Sequence, residues 1–378
     1  MTDGVSVVVP VRNGAMTIGE TLRSVAAQTH RGPIEVIVVD NESTDGTVEL
    51  ARAALPCVRA VAQRGGGLPA ARNRGAHVST QPWLAFLDCD DLWHPRHLEL
   101  LLRRAAAHGE APAVSSSAQR FSTVPLSRPV VAPVPALAVP LRAASRPVRL
   151  VTPPALATVA CEPVRQLDGL GEPWSIDHLD LLVASPFLSS NALVSRDLFA
   201  AAGGFPLTFP GAEDFAFFLA LTRLTPILVT PDITFFYRVS ETSMTSRTNT
   251  GLSHLAAVAA FAAGPALERS PEQVLASLRR ARFGRDVLRY ALGQSLWRGC
   301  PHETRFVRAL APAVLSSRRE RLRFTVIAAW ETRAAPRIGP RRRRPAVADV
   351  DPPLPAHRRR PRSLAALAAS ATSGHVSR

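Results

Sequence analysis

Three carboxylates fall within four positions of the stretch AFLDCDDLWHP: Asp88, Asp90 and Asp91, with only Cys89 among them. Like charges this close repel, and each lowers stability unless something positive sits nearby. Hard divalent cations take oxygen ligands, usually one or two carboxylates plus the phosphates of a nucleotide. The turn therefore reads as a site for Mn2+ or Mg2+. Asp91 is either a further ligand or the cap of the helix that begins near Pro95.

Other residues carry chemistry at a distance from this turn. Asp40 ends an apolar run in VVDNESTDGT; it reads either as an Asx-type turn residue or as an acceptor for the imide N–H of a uracil or thymine ring. Asp45 and Gly46 read as ordinary turn residues. In GGGLPAARNRG the glycines lack the dinucleotide fingerprint spacing. Arg72 and Arg74 fall in the first turns of a helix, where the macrodipole disfavours cations, so Arg72 is expected to face an anion or a base edge. Glu213 and Asp214 begin a helical pattern in PGAEDFAFFLAL. They are placed there by the dipole alone or serve as the general base for an incoming hydroxyl. His94 and His97 are expected on a solvated helix face. The loop in TFFYRVSETSMTSR is a candidate diphosphate contact.

These side chains need a scaffold, and residues 5 to 91 describe one. Val5 to Val11, Ile34 to Val39, Val58 to Ala62 and Trp83 to Leu87 read as strands, separated by helical patterns such as Ile18, Leu22, Val25 and Ala26. Pro69 suits a first helical turn. Alternating strands and helices imply an α/β fold with a mostly parallel, Rossmann-like sheet and helices on both faces. Arg12, Asp40 and Asp88 then lie at carboxyl ends of strands, where open α/β sheets bind ligands. Residues 112–178 read as an irregular Pro- and Ala-rich insertion, 251–335 as a helical C-terminal region and 336–378 as a disordered Arg-rich tail. Residues 1–250 form the main domain.

The 378 residues are 46% apolar, enough for a sizeable core. Cys57, Cys89, Cys161 and Cys300 show no paired spacing, which argues against a disulfide framework or a zinc knuckle and for a reducing cytoplasm. No signal peptide and no membrane-spanning run is expected. The net charge is +15 with no Lys at all, and residues 336–378 hold ten Arg against two Asp, so this tail carries +8 of it. Such a tail suits peripheral contact with an anionic membrane, here the inner face. Nucleic acid is not expected as a partner, because the rest of the chain is much less basic.

Taken in order, VSVVVPVRNGAMTIGETLRSVAAQT, EVIVVDNESTDGT, GGLPAARNRGA, WLAFLDCDDLW, GGFP with GAEDFAFFLAL, and FFYRVSETSMTSR resemble the motifs of the family 2 glycosyltransferases, enzymes of the GT-A fold. The resemblance implies an inverting, metal-dependent transferase that moves a sugar from a nucleotide-sugar donor, by default a UDP-sugar, to an acceptor hydroxyl. By position, Pro10, Val11 and Arg12 would line the nucleoside pocket, and Asp40 would contact the base with Arg72 beside it. DCD stands in the place of the family's Asp-x-Asp motif, so Asp88 would reach the ribose or the metal and Asp90 would bind Mn2+ or Mg2+. Asp214, with Glu213, matches the catalytic base of the ED motif. Arg12 and Asn41-Glu42 depart from the family pattern. The Gln-x-x-Arg-Trp motif of processive synthases is absent, which favours a single transfer.

The alternative is a nucleotide-binding or regulatory protein on a catalytically degenerate GT-A scaffold. The tail gives a separate expectation: deleting residues 336–378 abolishes a salt-sensitive association with anionic vesicles, measured by co-sedimentation, and spares catalysis.

Overall fold

Strand β1 (Val5–Val11) is buried along its whole length, as suits a β-branched run paired on both sides. In the computed structural model, which describes residues 3–109, 111–121, 173–177, 189–209 and 211–238 with positions 181, 253, 254 and 257, it runs parallel to β2 (Ile34–Asp40) and β4 (Trp83–Phe86). Strand β3 (Arg59–Ala62) extends the block by pairing parallel with β2. The crossovers are α1 (Ile18–Ala26), α2 (Thr47–Ala54) and α3 (Gly67–Val78). The register sets Val11 beside Asp40 and Val8 beside Phe86. The chain segments that leave β1, β2 and β4 are thereby brought to one edge.

Successive strand residues point to opposite faces, and both faces are covered. Val7, Val9, Val11, Val36, Val38 and Ala85 share a core with Ile18, Leu22 and Val25 of α1 and with Leu98 and Leu101 of α4 (His97–Ala107). On the other face Val8 and Val39 meet α3 at Gly75, where an added Cβ would lie 2.2 Å from Val8 and 3.1 Å from Val39.

Beyond β4 the sheet is mixed. Its order is β3-β2-β1-β4-β8-β6-β9-β5, with β7 on β9. The added strands are β5 (Leu92–Trp93), β6 (Ala113–Phe121), β7 (Trp174–Ile176), β8 (Ala192–Ser195) and β9 (Ile227–Arg238). β8 is antiparallel to β4 and β6, whereas β6 and β9 run parallel, with a bulge at Ser116–Ser117. Parallel pairing is therefore continuous only through the N-terminal block; beyond it, among the described strands, β6–β9 is parallel and the other pairs are antiparallel. The expected irregular insertion also begins later than residue 112, since Ala113–Phe121 is a core strand. Its serines hid it. Ser115 and Ser116 are fully buried; the Ser115 hydroxyl donates to the Asn191 carbonyl and the Asn191 amide to the Ser116 carbonyl. Two short helices, α5 (Arg196–Ala201) and α6 (Glu213–Leu221), flank the GGFP loop. Residues 122–172, nearly all of the C-terminal region and the whole tail lie outside the described residues. Among the described residues no helix is long and apolar enough to cross a membrane.

His94 and His97, expected on a solvated face, are buried at 5% and 0% exposure, because β9 lies against them. The His94 N–H donates to the Thr234 carbonyl. The His97 ring stacks on Trp93 at 4.4 Å and its Nδ1 is hydrogen-bonded to the Thr234 hydroxyl at 2.7 Å. Burial, with His94 nearby, holds the His97 imidazole down at about 3. The folded state thus binds fewer protons than the unfolded chain between about pH 3 and 6.5, and stability falls as pH drops through that window.

Two outcomes follow for stability. His97→Gln flattens the acid-side fall in unfolding free energy by up to one proton's worth, about 1.4 kcal/mol per pH unit, read from urea titrations at a series of pH values. Gly75→Ala loses about 1–2 kcal/mol net, because the clash with two core valines exceeds the gain in helix propensity, whereas Gly19→Ala gains up to about 1 kcal/mol, since its Cβ would meet only the flexible end of Arg23 at 3.2 Å. Urea midpoints check the opposite signs.

Candidate active site

The acidic turn leaves β4 after Phe86, and backbone and hydroxyl groups set its shape. The Leu87 N–H donates to the Val8 carbonyl and the Asp91 N–H closes back onto the Asp88 carbonyl at 3.0 Å. The Thr21 hydroxyl reaches the carbonyls of Cys89 and Asp91 at 2.9 and 3.0 Å. Ser190, in the turn before β8, accepts from the Asp88 N–H at 3.1 Å and hydrogen-bonds the Asp91 carboxyl. Cys89 packs against the core. An added Cβ on Gly14 would sit 3.2 Å from its sulfur, so the loop after β1 passes close over the turn.

Two arginines supply positive charge. Arg72 Nη2 donates to Asp88 Oδ1 at 2.7 Å. Arg238, at the end of β9, donates from its backbone N–H to Asp91 Oδ1 at 2.8 Å, from Nε to the Asp90 carbonyl at 2.6 Å and from Nη2 to Glu20 at 2.6 Å. Asp91 is therefore not the cap of α4. The residue that starts that helix, Arg96, makes no side-chain cap bond, and the Leu98 N–H is taken by Gln28 Oε1 at 3.0 Å, whereas Asp91, 1% exposed, ties the turn to β9. Burial, then the charge of Asp88, pushes Asp90 up to about 6 in spite of Arg238. Among the described residues no three His, Cys, Asp or Glu side chains gather as a metal cage. Asp88 and Asp90 form a two-carboxylate set, which fits a hard cation that brings its other oxygen ligands with a substrate.

The second acidic pair is brought to the first by Arg72. Its Nη1 donates to Glu213 Oε1 at 2.9 Å, and its guanidinium lies 5.2 Å from the centre of the Phe205 ring. The Arg72 side chain is 2% exposed. Burial opposes its charge, yet Asp88 and Glu213 hold its pKa above the ordinary value. Next to Glu213, Asp214 is half-buried and accepts from the Phe215 N–H at 2.7 Å. Burial raises its pKa, with Arg72 and that N–H acting in the opposite direction. The preceding GGFP loop is held by Asn73, which donates to the Phe205 carbonyl at 2.7 Å and accepts from the Phe205 N–H at 2.8 Å. Gly204 has φ 69°, and a Cβ there would meet Asn73 Oδ1 at 2.8 Å, so a glycine is required on both counts.

The residues expected around a nucleoside lie on the same edge. Pro10 and Val11 are buried, Val11 in the core, while Arg12 is exposed. Asp40 is half-buried, and its Oδ1 accepts from the Ser43 N–H at 3.2 Å, so it makes the Asx-type turn. The loops after β1 and β2 are laced together. Asn13 donates its backbone N–H to the Ser43 hydroxyl at 2.8 Å and accepts the Thr44 N–H on Oδ1 at 2.9 Å. Asp45 is more than a turn residue. It accepts the Ala15 N–H at 3.0 Å and bonds Thr47 at the start of α2. Asn13 and Glu42 have positive φ, 54° and 64°, so each makes a left-handed turn without a glycine.

The structure thus joins Asp88, Arg72, Glu213 and Asp214 in one cluster, with Asp90 on the adjoining turn. Arg12 and Asp40 share the edge without a hydrogen bond to that cluster among the described residues. Arg72 faces anions, as its helix position suggested, but the anions belong to the protein. Arg238, Ser190, Thr21 and Asn73 were not singled out from sequence. Arg238 ends the apolar run FFYR and carried a readable signal; the others did not. The loop after Arg238, expected to reach a diphosphate, lies outside the described residues.

The sequence model of Glycosyl transferase family 2 matches residues 6–136. Over 107 residues the chain is 35% identical to the uncharacterized glycosyltransferase YibD of Escherichia coli, covering 28% of this chain and 31% of that protein. Over 114 residues it is 39% identical to the succinoglycan biosynthesis protein ExoO of Rhizobium meliloti, covering 30% and 32%. The match thus spans about a third of the length of these relatives. Among solved structures, S. aureus TarS 1–349 in complex with UDP-GlcNAc is similar in fold, with TM-score 0.54 and 16% identity over 90% of this chain and 93% of that one.

Proposed function

We propose that the chain, whose residues 6–136 match the model of glycosyl transferase family 2, moves a single sugar from a nucleotide-sugar donor to an acceptor hydroxyl with inversion at the anomeric carbon. The observation that carries the reading is the Arg72 bridge. It sets a carboxylate at the end of β4 and a carboxylate pair at the start of α6 on one edge of the sheet. A UDP-sugar is the default donor, supported by the complexes of TarS with UDP and with UDP-GlcNAc.

Asp88 and Asp90 would hold Mn2+ or Mg2+, which when bound takes up charge developing on the diphosphate leaving group. Asp40 accepts an imide N–H from the base, and Arg12, which follows β1 on the same edge, lines the nucleoside pocket with Pro10 and Val11. Of the acidic pair, Glu213 is engaged by Arg72, so Asp214 is the base. It takes the proton of the acceptor hydroxyl as that oxygen bonds to the anomeric carbon and the bond to the diphosphate oxygen breaks on the opposite face. Its raised pKa makes it a better base than an ordinary carboxylate and keeps the proton transfer closer to balance.

A panel of nucleotide sugars scored by nucleotide release, with Mn2+ and with chelator, is expected to give release only with the metal. Asp214→Asn lowers turnover by about 10²–10⁴-fold and keeps the thermal shift given by UDP plus Mn2+, whereas Asp90→Asn loses the metal-dependent part of that shift. Wild-type turnover in both variants would overturn the residue roles. Binding without turnover of any donor would favour the degenerate-scaffold alternative.

A further inference from the structure

Two consecutive residues of α3 grip the two ends of one segment. Asn73 pairs with the backbone of Phe205 through both its amide atoms. Arg72 packs on the Phe205 ring and bonds Glu213. Between these grips lies the chain that leads into Asp214, and the same guanidinium also holds Asp88 on the other side. Both Nη groups are committed, and among the described residues the buried Nε has no hydrogen bond. Asp88 and Glu213 sit 16 and 141 positions away in sequence, so no local structure sets their separation.

We propose that Arg72 is a positioning residue: a clamp that fixes α6 and its Asp214 relative to the Asp88 turn, in place of the nucleobase contact implied by resemblance. A planar fork with two donors aimed at different carboxylates does this, and an ammonium group does not, because it is one point charge on a flexible stem. Asp214 then keeps its reach to the acceptor only while Arg72 spans both acids. A base contact would act on nucleotide affinity, whereas a clamp acts on turnover, since small misplacements of a reacting group are felt mainly in the chemical step.

This rests on the transferase reading, and two experiments separate the two. On the ligand-free protein, urea unfolding of Arg72→Lys, Glu213→Gln and the double variant is expected to show strong non-additivity, as residues in one network do. Simple additivity would overturn the clamp. On the active protein with a UDP-sugar that the wild type consumes, Arg72→Lys lowers kcat about 10²-fold and leaves UDP affinity with Mn2+, measured by calorimetry, within about threefold. Unchanged kcat with UDP affinity weakened tenfold or more would overturn the clamp and restore the base contact. Glu213→Gln supplies the same kcat-against-affinity comparison where the lysine variant folds poorly. Absence of turnover in the wild type counts against the transferase reading alone, and the unfolding cycle then decides the clamp by itself.

Discussion

Removing one partner of a buried ion pair destabilises a protein by about 3–5 kcal/mol, because the remaining charge has no water to face. That constraint governs the edge of the sheet where β4, α3, α6 and β9 meet. Asp91 and Glu213 leave water and Asp88 does so in part, and Arg72 and Arg238 come from α3 and β9 to meet them. The exposed pair Arg59–Glu35, at 3.5 Å with the arginine side chain 51% accessible, is worth about 0–1 kcal/mol. The buried arginines therefore decide where the turn, α6 and β9 sit relative to one another.

The N-terminal block was legible because its strands are buried on both faces and its helices on one. β1 and β2 fall where their β-branched runs fall, and α1 and α3 where the 3.6-residue spacing and Pro69 place them. The second half was less legible. β6 is written in buried serines, of which Ser115 donates its hydroxyl to the Asn191 carbonyl and Ser116 accepts the Asn191 amide on its backbone carbonyl, so no alternation of apolar residues marks it. The direction of β8 depends on pairing partners that no local pattern names.

For the site, residue types were readable and partners were not. Acids at strand ends announced themselves through repulsion and position. What neutralises them did not, because Arg238 lies 147 positions from Asp91 and Glu213 lies 141 from Arg72. Asp91 looked like a cap and is a cross-brace. His94 and His97 looked solvent-facing for the same reason: the β9 segment that covers them is encoded far away.

The mixed sheet has a consequence for how the chain comes into being. β4 needs Leu193 and Val194 of β8 as neighbours, yet these leave the ribosome many seconds after β4 at about 5–20 residues per second. Until then the four parallel strands present a bare, apolar edge, Trp83 to Phe86, of the kind that recruits other chains. A nascent protein halted inside the intervening segment would have a formed N-terminal half and an open seam. Folding helpers that shield strand edges would matter most during that interval, and truncations ending there would be prone to aggregate even though each helix and strand already made is sound.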